Sequence, residues 1–212
     1  AIKGADNGTG IFTIESPATN TDRTLILPDN AGTVLTSDSD LVATKLTGIV
    51  PSGRMPAGSV LQVVTNTITG PYVYSGDWHN TAVDRSITPS SSSSKILVTV
   101  SLGRVAHYDG NTLAFRFIRN GGLVCVGDAI GSRSRITASM MRVTTDANHS
   151  QGLVGFSFLD SPGSTSAQSY ILQANAEGNA TWYLNRQRSY ADASVPYSGI
   201  GVSTIVLMEI AG

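Results

Sequence analysis

Alternation of apolar and polar residues with a period of two dominates the chain from about residue 59 onward. Ile96, Val98, Val100 and Leu102 alternate with Leu97, Thr99 and Ser101. Val154, Phe156 and Phe158 share one parity, as do Tyr170, Leu172 and Ala174. Such patterning predicts half-buried strands. The strongest local signal is Asn120-Gly121 between two apolar runs, a two-residue hairpin turn. Its register sets Phe117 opposite Val124, Phe115 opposite Val126 and Arg116 opposite Cys125, giving one large apolar face to anchor a core. Further strands are expected at 59–65, 72–75, 84–87, 135–145, 153–159, 169–175, 181–185 and 202–210. Turns fall at Asp109-Gly110-Asn111, Asp160-Ser161-Pro162-Gly163 and Glu177-Gly178-Asn179, and the Ser90 to Ser94 run reads as a flexible, solvated loop. Short strands without any stretch of helical period predict an all-β fold, an antiparallel β-sandwich of jelly-roll type, over residues 58–212.

The final strand differs from the rest. Val202, Val206, Met208 and Ile210 lie on one face and Ile205 and Leu207 on the other, so both faces need cover that a sandwich supplies to only one. Ile205 and Leu207 are therefore expected at the three-fold axis of a homotrimer, the alternative being a loop folded over them. Residues 1–57 read differently again. The runs Gly10 to Glu15, Arg23 to Pro28 and Thr33 to Thr36 are short and separated by Asp, Asn, Gly and Pro. They hold too little apolar area to bury a core within one chain. Several copies wound into a β-rich shaft would cover one another, with Ile11, Phe12, Leu25 and Leu27 as candidate interface residues. Asp38-Ser39-Asp40, Pro51-Ser52-Gly53 and Pro56-Ala57-Gly58 are turn chemistry, so residues 37–58 read as a linker ending near Gly58.

Composition narrows the function. The 212 residues carry a formal net charge of -1 and a pI near 6.3, without the basic excess that a nucleic-acid partner requires. Charged residues make up only 14%, which leaves a surface of hydroxyls and amides. Cys125 is alone, so no intrachain disulfide forms, and its hairpin position reads as small packing. No apolar run reaches the roughly 18 residues of a membrane span and no signal peptide opens the chain, so a soluble protein without membrane insertion is expected. The chain starts at Ala1 with no Met, as a piece of a longer chain would.

Catalytic and metal chemistry find little purchase. Asp109, Asp128, Asp146, Asp160, Glu177 and Asp192 mostly occupy turn-like contexts, although a carboxylate pair across the sandwich would suit a glycan depolymerase, which stays open as an alternative. No Gly-x-Ser-x-Gly elbow precedes a helix. His79, His107 and His149 lack ligand spacing, and the Gly-rich pieces at Arg119-Asn120-Gly121-Gly122 and Gly127 to Gly131 precede no helix N-terminus. A non-enzyme without metal or cofactor is the expectation.

Recognition is better served. A sugar needs a flat apolar platform and planar hydrogen-bonding groups on loops. Three loops offer them: Trp78 and His79 within Gly76 to Asn80; Tyr108, Asp109 and Asn111; and Arg186, Arg188 and Tyr190 in a long polar excursion. Trp78 and Tyr190 could equally plug the ends of the sandwich, and Trp182, inside a strand, reads as core or interface.

Two stretches carry a family resemblance. Phe12-Thr13-Ile14-Glu15-Ser16-Pro17-Ala18-Thr19-Asn20 with Arg23 to Thr36 resembles a recurrent segment of tail-fibre and related appendage proteins of tailed bacteriophages, cyanophages especially. Lys45 to Val63 is similar to the connection between shaft and terminal domain in such proteins. The resemblance covers about the first third of the chain. It implies a homotrimeric virion fibre, in contact with other virion proteins, whose distal domain attaches to a host cell-surface glycan or protein receptor. A capsid fibre or connector without receptor binding is the alternative it leaves. The size and strand spacing of the second domain look like the trimeric jelly rolls of the tumour-necrosis-factor and C1q type, an analogy of architecture alone.

Overall fold

The structure, a computed structural model, describes residues 18, 20–22, 24, 50–107, 112–141, 152–188, 194–195 and 198–212. Contacts divide the chain into two compact units, Ala1–Gly48 and Ile49–Gly212. The expected shaft, with Ile11, Phe12, Leu25 and Leu27, lies outside the described residues.

The second unit is built from β1 (Val60–Ile68), β2 (Tyr72–Tyr74), β3 (His79–Ile87), β4 (Lys95–His107), β5 (Thr112–Arg119), β6 (Gly122–Val124), β7 (Ala138–Met141), β8 (Gly152–Asp160), β9 (Gln168–Ala176), β10 (Trp182–Leu184) and β11 (Ser203–Ile210). Among the described residues there is no α-helix. One sheet runs β1-β11-β4-β10-β2, with β8 also paired to β4; the other runs β3-β9-β5-β6, with β7 also paired to β5. Successive strands thus switch sheets so that β1-β11-β4-β8 faces β3-β9-β5-β7, the strand order of a jelly roll.

Alternation places the core as the pattern predicts. Ile96, Val98, Val100 and Leu102 of β4, Leu113, Phe115 and Phe117 of β5, and Tyr170, Leu172 and Ala174 of β9 are buried between the sheets. Phe117 and Phe115 meet Phe156 edge-on at 5.5 Å, geometry that favours the aromatic quadrupoles. Trp182 is core, stacked on Tyr74 at 4.5 Å.

The hairpin forms with Phe117 opposite Val124, and Asn120 and Gly121 both take positive φ, as the two-residue turn requires. The pairing then stops two residues earlier than expected. Cys125 adopts φ 51, which ends β6, and the chain returns only at β7, so Phe115 lies opposite Ala138 rather than Val126. Arg116 consequently does not face Cys125, and Cys125 is exposed instead of packed.

Two further expectations are corrected. Ile205 and Leu207 are fully buried against this chain's own core, so they are not interface residues. The outward face of β11 is the other one. There Val63, Met208, Leu97 and Leu159 stand in one cross-strand row on β1, β11, β4 and β8. Val63 and Leu159 are about half exposed, at 54% and 53%. Nor is the serine run a free loop. The buried Glu209 carboxylate accepts hydrogen bonds from Gln62 Nε2 at 2.6 Å and from Ser90 N, Ser90 Oγ and Ser94 Oγ at 2.7 Å each. Burial would raise this carboxyl's pKa, but the Ser94, Gln62 and Ser90 donors outweigh it and hold it below the ordinary value.

At the same end, Asp160 Oδ2 of β8 accepts from Tyr170 Oη at 2.7 Å and Arg119 Nη1 at 2.5 Å, joining the sheets with a charge-assisted clasp. Near the other end the backbones of Gly103 and Val202 approach so closely that a Cβ on Gly103 would overlap Val202.

Candidate recognition face

The outward side of the β3-β9-β5 sheet carries a polar ladder. Asn80, Gln173 and Arg116 lie opposite one another on three adjacent strands. Arg116 Nε donates to Gln173 Oε1 and Gln173 Nε2 donates to Asn80 Oδ1, both at 2.7 Å. This chain of bonds fixes the guanidinium, whose Cζ lies 4.0 Å from the centre of the Trp78 ring. Burial lowers the Arg116 pKa while Asp77 draws it upward. The stack holds Trp78 half-buried ahead of β3, neither plugged into the core nor swinging free.

One row along, Asn175 lies opposite Ala114. Its Nδ2 donates to Asp77 Oδ1 at 2.8 Å; a carboxylate only accepts, so this bond fixes the amide's orientation. Its Oδ1 is shielded from solvent and has no hydrogen-bond partner among the described residues. Beyond β9 the turn Glu177–Asn179 places Gly178 and Asn179 at positive φ, and Glu177 Oε2 accepts from Thr112 N at 3.1 Å. Trp78, Thr112, Ala114, Asn175, Glu177 and Asn179 enclose an open cleft of ≈ 340 Å³.

The three loops singled out from sequence do not converge. Trp78 belongs to this cleft. His79 heads β3, its ring hydrogen-bonded to the Ser75 carbonyl. Tyr108, Asp109 and Asn111 lie outside the described residues, but the strands that flank them do not. His107 pairs with Trp182, and Thr112 lines the cleft, so that connection begins and ends at the same edge of the sandwich. Arg186 and Arg188 follow the opposite end of β10. Arg186 packs over Tyr183 at 5.1 Å and donates to the carbonyls of Gln187 at 3.0 Å and Arg188 at 3.2 Å, which turns it onto its own loop. Tyr190 lies outside the described residues.

Arg116, Gln173, Asn175 and Glu177 were not among the sequence candidates. The outward parity of β5 and β9 was the available signal, since it reads as polar side chains on a sheet whose other face is core. Among the described residues no group of three His, Cys, Asp or Glu side chains could hold a metal ion, and no helix is long and apolar enough to cross a membrane. Of the carboxylates considered for glycan cleavage, Asp160 is tied to Arg119 and Tyr170, Glu177 to Thr112, and Asp109, Asp146 and Asp192 lie outside the described residues.

What the strand pairing defines is a jelly-roll β-sandwich with a cleft on one outer face. No family model and no curated protein matches the chain. Solved structures similar to it include the Gt strain of infectious bursal disease virus (12% identity, TM-score 0.34, covering 78% of this chain and 43% of that one). The VP2 subviral particle of the same virus aligns at 11% identity and TM-score 0.34, covering 78% and 42%. The chain spans less than half the length of either.

Proposed function

We propose that the chain is a non-enzymatic, homotrimeric virion component of a tailed phage, a tail fibre, whose jelly-roll domain attaches to a glycan on the host surface. The phage assignment is supported by the resemblance of Phe12 to Thr36 and Lys45 to Val63. The attachment role is carried by one observation: Trp78, immobilised under Arg116, forms a wall of an open cleft beside amide and carboxylate side chains. An aromatic wall with planar hydrogen-bonding groups is the composition that sugar rings require. Fluorescently labelled protein should bind a subset of bacterial cells in a panel that includes cyanobacteria, and Trp78→Ala should lower that binding about tenfold or more. Equal binding by the variant would remove the cleft from the attachment role. Release of reducing ends from the polysaccharide of the bound cells would replace attachment with depolymerisation.

A second reading, a purely structural virion part, has its own observation. The outward face of β1, β11, β4 and β8 presents the Val63-Met208-Leu97-Leu159 row beside Thr65, Val206, Thr99 and Ser157, without a charge in either row. Four strands about 4.8 Å apart and eight residues rising about 3.3 Å each span roughly 500 Å². That is smaller than the ~800 Å² per partner of a stable pair, so in a homotrimer the remainder falls to the short strands of residues 1–57. Met208→Arg should shift the full chain to a lower mass in light scattering; an unchanged trimer would place the interface elsewhere.

A further inference from the structure

We infer that the Trp78 cleft selects uncharged, hydroxyl-rich sugars and rejects carboxylated or sulfated ones. The inference rests on the glycan-attachment reading and adds to it the sign of the ligand. Its basis is the distribution of donors and charges around the cleft. The Thr112 backbone donor already points at Glu177, and the Asn175 amide nitrogen already donates to Asp77. The acidic groups are at the site: Glu177 lines the cleft and Asp77 stands directly behind Asn175. The basic group is not. Arg116 lies against the Trp78 ring with its Nε held by Gln173, and it is absent from the cleft lining. Arg135, near the lining residue Ser134, turns its Nε to the Gly127 carbonyl.

An entering ligand therefore meets carboxylate and hydroxyl oxygens more than available N–H groups. Hydroxyl groups of a sugar can donate to these acceptors, whereas a carboxylate or sulfate can only accept and also meets negative charge in a partly desolvated site. Trp78 supplies the apolar wall for the C–H face of the ring. The selectivity comes from Glu177 and the amide ladder behind it.

The test is a titration of the full chain, followed by tryptophan fluorescence, with matched probes. Neutral hexose and N-acetylhexosamine oligosaccharides are compared with sialylated, uronic-acid and sulfated oligosaccharides of the same length. Trp182 is buried in the core, so Trp78 is the indole placed to report. At least one neutral probe should bind saturably, with its acidic counterparts about tenfold weaker or more. Glu177→Gln should weaken the neutral probe by about tenfold, the scale of one charge-assisted hydrogen bond, and Glu177→Lys should narrow or reverse the discrimination. Acidic probes that bind as tightly as neutral ones and lose their signal in Trp78→Ala would overturn this inference while leaving glycan attachment intact. Neutral affinity unchanged in Glu177→Gln would also overturn it. If no probe of either class binds and Trp78→Ala adheres to cells like the wild type, both readings fall together.

Discussion

Glu209 offers the sharpest test of how this fold is held. Replacing it with alanine removes an acceptor that four donors share, and those donors differ in what remains to them. Gln62 Nε2 also reaches the Thr88 carbonyl at 2.7 Å and keeps a partner. Ser94 Oγ sits on a residue only 1% exposed, so it is left buried without its acceptor, and Ser90 loses the bonds of both its backbone and its hydroxyl. At about 1–3 kcal/mol for each buried group left unsatisfied, Glu209→Ala should cost about 3–5 kcal/mol. Glu209→Gln keeps the shape and one carbonyl acceptor but turns an amide toward Gln62, so about 1–2 kcal/mol is expected. The pH dependence follows in sign from the lowered folded pKa. The unfolded chain binds the proton more readily, so the stabilisation is fully present above the unfolded carboxyl's pKa and disappears as pH falls through the folded value. Urea denaturation at pH 7 and at successive values down to pH 3 measures both effects. The wild type should converge on Glu209→Gln at the acid end. A Glu209→Ala loss below about 0.5 kcal/mol, or parallel pH profiles for wild type and Glu209→Gln, would refute the reasoning.

The clasp between the sheets makes a second prediction: Tyr170→Phe should cost about 1–2 kcal/mol through the lost bond to Asp160, measured by the same denaturation. Burial, then the Asp160 hydrogen bond and charge, raise the Tyr170 pKa. The folded state therefore holds that proton more tightly, and stability should fall as pH climbs past the unfolded tyrosine value of about 10, an effect absent from Tyr170→Phe. Gly103→Ala should destabilise by about 2–4 kcal/mol, because the new methyl meets the Val202 backbone rather than a side chain that can yield. A Tm within about a degree of wild type would show that the two segments separate freely.

How far the sequence revealed this structure depended on whether the deciding contact was local. The Asn120-Gly121 turn set the Phe117–Val124 register because a two-residue hairpin carries its geometry in its own residues. The departure at Cys125 was hidden, since a positive φ at a non-glycine residue leaves no trace in apolar alternation. In β11 both parities are apolar, and the inward one ends in Ser203 and Glu209, so polarity pointed the wrong face outward. Only the pairing with Gln62 and the serine loop explains why a carboxylate belongs inside. Trp78 was visible as an aromatic among polar neighbours; the arginine that immobilises it lies on another strand, brought there through β9.

The pairing of β11 sets the timetable of folding. β1 is hydrogen-bonded to β11, as is the edge of β4 from Lys95 to Ser101, so strands made early acquire a neighbour only when residues 203–210 have been synthesised. Until those residues clear the ribosome, Val64 and Val98 have no lateral support from their final neighbour Leu207, and the nascent chain must be kept from pairing with its siblings. Assembly of this domain is thus mostly post-translational, governed by contacts more than a hundred residues apart.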